Sequence, residues 1–119
     1  MHESLKNTID YIEVPSCDLA QTKKFFSALF GWSFIDYGPD YSSFDDGRMA
    51  GGFFLSTKTV SVEAGAPLVV FYYPELEKTR AKVIDLGGTI TREIFEFPGG
   101  RRFHFREPGG SEFAVWSDK

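Results

Sequence analysis

An α+β fold of two tandem βαβββ modules, forming a curved mixed sheet round a cleft, is what this sequence predicts. Three observations lead there. A strand, a helix and three further strands occur in that order twice, over about residues 7–56 and again over about 67–117. The two helices align residue for residue at a constant offset of 57. The last hairpin, Arg106-Glu107-Pro108-Gly109-Gly110-Ser111-Glu112-Phe113-Ala114-Val115-Trp116, sets Pro-Gly-Gly turn chemistry between two aromatic-rich strands. With 119 residues, 42% of them hydrophobic, the whole of 1–119 is expected to be a single domain. Each sheet should bury one face under its own helix, leaving the other faces to meet across a cleft.

The elements follow in order. Residues 7–14 carry Ile9, Tyr11, Ile12 and Val14 in weak alternation, a strand that Pro15 is expected to stop. Asp18 stands where a helix N-cap belongs, with Gln21 three residues on, and Leu19, Thr22, Phe25, Phe26 and Leu29 recur at helical spacing up to Gly31. Residues 32–37, 41–45 and 48–55 read as strands, parted by Gly38-Pro39-Asp40 and Asp45-Asp46-Gly47. The polar stretch 57–67 connects the halves. Residues 68–73 form the next strand, and Pro74 suits a first helical position. Leu76, Thr79, Val83 and Leu86 then share a helix face that Gly87 closes. Strands over 89–97, 101–106 and 112–116 complete the second module. Leu19 pairs with Leu76, Thr22 with Thr79, Lys23 with Arg80, Phe26 with Val83, Leu29 with Leu86 and Gly31 with Gly88, which marks a duplicated unit.

Composition excludes several classes of function. The net charge of -4 offers no basic stripe for a phosphate backbone, so nucleic acid is not an expected partner. No run approaches the roughly twenty apolar residues that cross a bilayer, and no signal-like segment opens the sequence, so no membrane partner and a cytoplasmic location are expected. One cysteine, Cys17, forms no intrachain disulfide and has no catalytic partner at any recognisable spacing. The 13 Phe, 5 Tyr and 2 Trp suit an aromatic pocket or an aromatic core.

Four local patterns carry a family resemblance: Ile12-Glu13-Val14-Pro15 before Asp18-Leu19, Phe25-Phe26 before Phe30-Gly31-Trp32, Leu86-Gly87-Gly88, and the Glu107-Pro108-Gly109 turn. In this order and spacing, over residues 7–116, they resemble the vicinal oxygen chelate superfamily of glyoxalase I, bleomycin resistance proteins and extradiol dioxygenases. The resemblance implies a glyoxalase-like fold, and homodimers are common in that family. In its metal-dependent members, two strands of each module give one ligand apiece, and by position these fall at Tyr11, near Gly51, at Leu68 and at Ala114. Gly51, Leu68 and Ala114 have no donor atom, and a tyrosine alone holds no divalent metal, so neither metal nor other cofactor is expected. A shifted carboxylate site on Glu13 and Glu112 is the alternative.

Strand parity places Tyr11 and Glu13, then Met49, Gly51 and Phe53, then Leu68, Val70 and Tyr72, then Glu112, Ala114 and Trp116 on the cleft face. The expected ligand-binding set is Tyr11, Glu13, Phe53, Tyr72, His104, Glu112 and Trp116. The competing reading has Phe53, Val70 and Trp116 simply filling the space between the sheets. His104 is the candidate general acid or base, against a hydrogen-bonded structural histidine. Arg101-Arg102 could clamp an anion or form a solvated turn. The expected function is metal-independent binding of a small organic molecule, of the glyoxalase/bleomycin-resistance type. One alternative is a glyoxalase-type lyase, isomerase or dioxygenase using a relocated metal or His104; the other is a non-catalytic interaction module. Whether a reaction is catalysed stays open.

Overall fold

The computed structural model describes residues 2–119, with side chains from residue 4 onward. A short 3-10 helix, His2–Leu5, precedes β1 (Tyr11–Ser16), α1 (Leu19–Phe30), β2 (Phe34–Asp36), β3 (Tyr41–Asp45) and β4 (Ala50–Leu55). The second module holds β5 (Val69–Tyr72), α2 (Leu76–Asp85), β6 (Thr89–Phe97), β7 (Gly100–Arg106) and β8 (Glu112–Ser117). Each module closes its own mixed four-stranded sheet, in the orders β1-β4-β3-β2 and β5-β8-β7-β6. The first and last strand of each module pair in parallel, and the remaining pairs are antiparallel.

Local chemistry explains the boundaries. The Asp18 carboxylate accepts from the Gln21 N–H (3.1 Å) to start α1, and the Gly31 N–H donates to Ser27 O (3.0 Å) to end it. α2 lacks such a cap and begins later than Pro74 suggested, after Glu75, whose side chain makes no capping bond. Pro15 does not stop β1. It lies inside the strand, where it is tolerated because β1 is the edge of its sheet and no ladder bond needs its missing N–H. The strand expected from residue 48 starts at Ala50, because Asp46 Oδ1 accepts from the Arg48 and Met49 N–H groups (both 2.8 Å) and holds them in the turn.

The core lies between the two sheets. Phe26 of α1 is fully buried, with its ring 5.6 Å from Phe53 of β4 and 5.3 Å from Phe113 of β8. Phe53 and Phe113 also face each other at 6.3 Å. Ile12, Val14 and Phe53 of the first sheet and Val69, Phe71 and Phe113 of the second line one shared void of only ≈ 30 Å³. The helix-side faces of the sheets therefore turn toward one another. Their open faces look away from each other.

Candidate functional site

On the first module's open face the β1–β4 register decides which residues appear. Tyr11 lies beside Ala50 and Glu13 beside Gly52, and Ser43 of β3 is the other neighbour of Gly52. The open face therefore carries Tyr11, Glu13, Tyr41, Ser43, Ala50, Gly52 and Phe54. Tyr11 Oη lies 2.5 Å from Tyr41 Oη, and the Tyr41 hydroxyl donates to Glu13 Oε2 at 2.9 Å. Both phenols sit over Gly52. A Cβ there would lie 2.1 Å from Tyr41 Oη and 3.0 Å from Tyr11 Oη, so only glycine permits this chain of hydrogen bonds. Burial, together with the hydrogen bonds to Tyr11 and Glu13, pushes the Tyr41 phenol well above its ordinary pKa, so its proton stays in place. An open groove runs on from Tyr11 along Ile35, Tyr37, Ser43, Asp45 and Ala50.

Phe53 does not belong to this face. It is 1% exposed and packs under α1, with Gly51 pointing the same way into the Phe44 ring. Aligning Gly51 with Ala114 assigns the wrong parity, because the β3–β4 turn holds four residues, 46–49, whereas the β7–β8 turn holds five, 107–111. Ala50 and Glu112 are thus equivalent, and Gly52, rather than Gly51, matches Ala114. The aromatic-core reading holds for Phe53.

The second module's open face carries Val70 and Tyr72 of β5, Arg102 and His104 of β7, and Glu112, Ala114 and Trp116 of β8. His104 lies beside Ala114. Its Nδ1 is 3.7 Å from Glu112 Oε2, beyond hydrogen-bond range, and its Nε2 is buried without a partner. The Phe95 ring of β6 covers the imidazole at 5.8 Å, and the Arg92 guanidinium stacks 3.6 Å over that ring. Burial, then the positive fields of Arg102 and Arg92, outweigh the Glu112 carboxylate and hold the imidazole below its usual pKa. Histidine is therefore neutral here at pH 7.

Glu112 is held by the connection and by β6: the Val62 N–H donates to Oε1 (2.8 Å) and the Thr91 hydroxyl to Oε2 (2.6 Å). Burial pushes this carboxyl up, but those two bonds and the nearby His104 and Arg106 outweigh it, leaving the group below its usual range. Tyr72 donates to Asp118 Oδ1 (2.7 Å), and its ring meets Trp116 edge-on at 5.1 Å. Arg101 is bound to Glu77 of α2 (2.5 Å), so it does not form an anion clamp with Arg102. Cys17 is exposed, and its N–H donates to Gly109 O (2.8 Å).

The expected residues thus fall into two groups. Tyr11 and Glu13 share one face, while Tyr72, His104, Glu112 and Trp116 share the other, which points away from it. Tyr41, Thr91, Arg92 and Phe95 were missed, although strand parity from Tyr11 and His104 could have found Tyr41 and Arg92. Glu107, which the sequence shows only as a turn residue, is 1% exposed. It accepts from the Thr22 hydroxyl (2.8 Å) and the Gly109 N–H (2.6 Å), tying the last hairpin to the start of α1. Burial pushes its carboxyl up to about 7 against the opposing pull of those bonds.

A divalent metal finds no donor set at the positions that the resemblance indicates. Tyr11 is the only oxygen donor among them, whether the second position is taken at Gly51 or Gly52. Glu13 and Glu112 lie on opposite faces and form no shared carboxylate site within a chain. Among the described residues no group of three or more His, Cys, Asp or Glu side chains is placed to hold a metal ion.

Two tandem βαβββ modules with polar and aromatic open faces define a glyoxalase-like protein. The model of the Glyoxalase/Bleomycin resistance protein/Dioxygenase superfamily matches residues 8–115, and the chain belongs to that superfamily. No curated protein sequence matches significantly. Among solved structures, a glyoxalase/bleomycin resistance protein/dioxygenase family enzyme from Burkholderia phytofirmans PsJN superposes with a TM-score of 0.77 at 17% identity, covering 93% of this chain and 100% of that one. A fosfomycin resistance protein, FosX, from Listeria monocytogenes, complexed with Mn(II) and a dihydroxypropylphosphonic acid, gives 0.76 at 16% identity, covering 93% and 90%. A lactoylglutathione lyase from Agrobacterium tumefaciens gives 0.69 at 17% identity, covering 93% of each. At these identities the likeness concerns the fold alone.

Proposed function

We propose that the protein binds a small organic molecule without a metal, in a cleft built from the first module's open face of one chain and the second module's open face of another. The observation that carries this is the exposure of large side chains around fixed polar groups: Tyr11 is 42% exposed, Val70 40% and Tyr72 48%. Surface of this kind beside positioned hydroxyls and carboxylates suits a ligand wall. A homodimer is part of this proposal, supported by the two open faces looking away from each other within a chain and by the unpaired edges of β1 and β5. No helix among the described residues is long and apolar enough to cross a membrane, and a cytoplasmic binding protein is the form this proposal takes.

Untagged protein purified without chelator tests the proposal by elemental analysis and thermal melts. The expected result is no stoichiometric metal and no change in Tm with EDTA, nickel, zinc, manganese or iron(II). Near-stoichiometric metal with a Tm lowered by EDTA would contradict it. Sedimentation should give a dimer; a monomer at every concentration contradicts the two-chain cleft.

One observation favours a second reading. The unpartnered Nε2 of a neutral His104 is what a general base would present, next to the Ala114 position where the resemblance expects a metal ligand. In that case His104→Gln abolishes turnover and leaves the fold intact.

A further inference from the structure

The chain Tyr11–Tyr41–Glu13 can be read for proton direction, and that direction specifies a ligand. Each phenol has one proton. The Tyr41 proton is committed to Glu13 Oε2, so in the 2.5 Å contact between the hydroxyls Tyr11 must be the donor and Tyr41 the acceptor. Both donors are consumed internally. What the cluster offers outward is acceptors only: the lone pairs of Tyr11 Oη and the second carboxylate oxygen of Glu13.

None of the ion pairs among the described residues includes Glu13, so its charge has no partner among them. The surroundings agree in kind. Tyr37 lies 6.5 Å from Tyr41 ring to ring, giving three phenol rings on this side, and Asp45 borders the adjoining groove. Aromatic faces and a carboxylate with no cation paired to it among the described residues attract a protonated amine or an amidinium through its charge as well as its N–H groups.

We propose that the Tyr11–Tyr41–Glu13 cluster, seated over Gly52, is a recognition site for the cationic nitrogen of an organic ligand, with Glu13 as counter-ion and Tyr11 as second acceptor. This rests on the small-molecule binding reading and names the chemistry of one wall of its cleft. Gly52 is a positioning residue, since it touches no ligand and clears the space in which the hydroxyls align. Glu13 sets affinity for the cation.

Isothermal titration calorimetry on the full-length protein, with benzylammonium, benzamidinium, benzyl alcohol and benzoate as probes at pH 7, separates the possibilities. The two cations should bind, with affinity falling as salt rises, and the alcohol and benzoate should bind at least about tenfold more weakly. Glu13→Gln, which preserves shape and removes charge, should weaken the cations by about tenfold or more while leaving the melting temperature close to wild type. Gly52→Ala should abolish cation binding by displacing both hydroxyls. If it fails to fold, Tyr41→Phe breaks the same chain and should weaken the cations.

Equal binding of cation and alcohol, or cation binding unchanged in Glu13→Gln, would overturn the assignment. Benzoate binding that ignores Glu13→Gln, with no cation binding, overturns it too but leaves the small-molecule reading standing on the Arg92 and Arg102 side. Absence of binding by all four probes counts against both.

Discussion

Replacing Phe26 with alanine lowers the free energy of unfolding by about 3–5 kcal/mol, the cost of emptying a closed aromatic site. Phe26 has no exposed surface, and its ring meets Phe25 (5.1 Å), Trp32 (4.9 Å), Phe53 (5.6 Å), Phe71 (5.9 Å) and Phe113 (5.3 Å). These neighbours come from both modules. The cavity therefore opens where the two sheets meet and weakens both together. Small domains hold only about 5–15 kcal/mol in total, so the variant is left near its limit. Urea unfolding at fixed pH, followed by the fluorescence of Trp32 and Trp116, measures the loss. A change under about 1 kcal/mol would mean that Phe26 does not join the modules.

The second large effect is a pH dependence at Glu107. In the folded chain its carboxyl titrates at about 7 instead of its ordinary 4.5, because burial outweighs the bonds from Gly109 and Thr22, and Asp18 adds repulsion. The folded state therefore holds this proton more tightly than the unfolded chain does. Its contribution is complete below about pH 4.5 and is lost as pH rises through 7, about 3 kcal/mol in all.

Glu107→Gln keeps an acceptor for the Gly109 N–H and cannot ionise. At pH 8 the variant should be more stable than wild type by up to about 3 kcal/mol, and near pH 4 the two should agree. Taking the difference between them removes the other carboxylates, several of which titrate low and act in the opposite direction. Urea unfolding of both proteins across this range gives the curve. A flat difference, or a variant less stable at pH 8, would show that the buried carboxylate is stabilised as an ion.

What was legible in the sequence is what local periodicity encodes. The α1 pattern from Leu19 to Leu29, its Asp18 cap and its Gly31 stop stand as read, and so does the duplicated order of elements. Phe53 was misplaced because its face depends on whether a turn holds four residues or five, and turn glycines mark a turn without giving its length. Pro15 reads as a stop in the sequence because nothing local reveals that β1 is an edge. Glu107 was out of reach for a different reason. Its partner Thr22 is 85 residues away, and no spacing rule pairs a turn glutamate with a helix threonine. The same holds for the bond between Glu112 and Val62, which depends on where the connecting segment lies across β8.

The most direct test of metal-independent binding at the open faces is a proton–nitrogen NMR screen of small aromatic molecules against protein kept in EDTA. At least one compound should bind saturably and shift amides of Tyr11, Glu13 and Gly52 together with those of Tyr72, His104 and Trp116, the two walls of one cleft. Binding that appears only after a divalent metal is restored, or shifts that leave both faces untouched, would contradict the account.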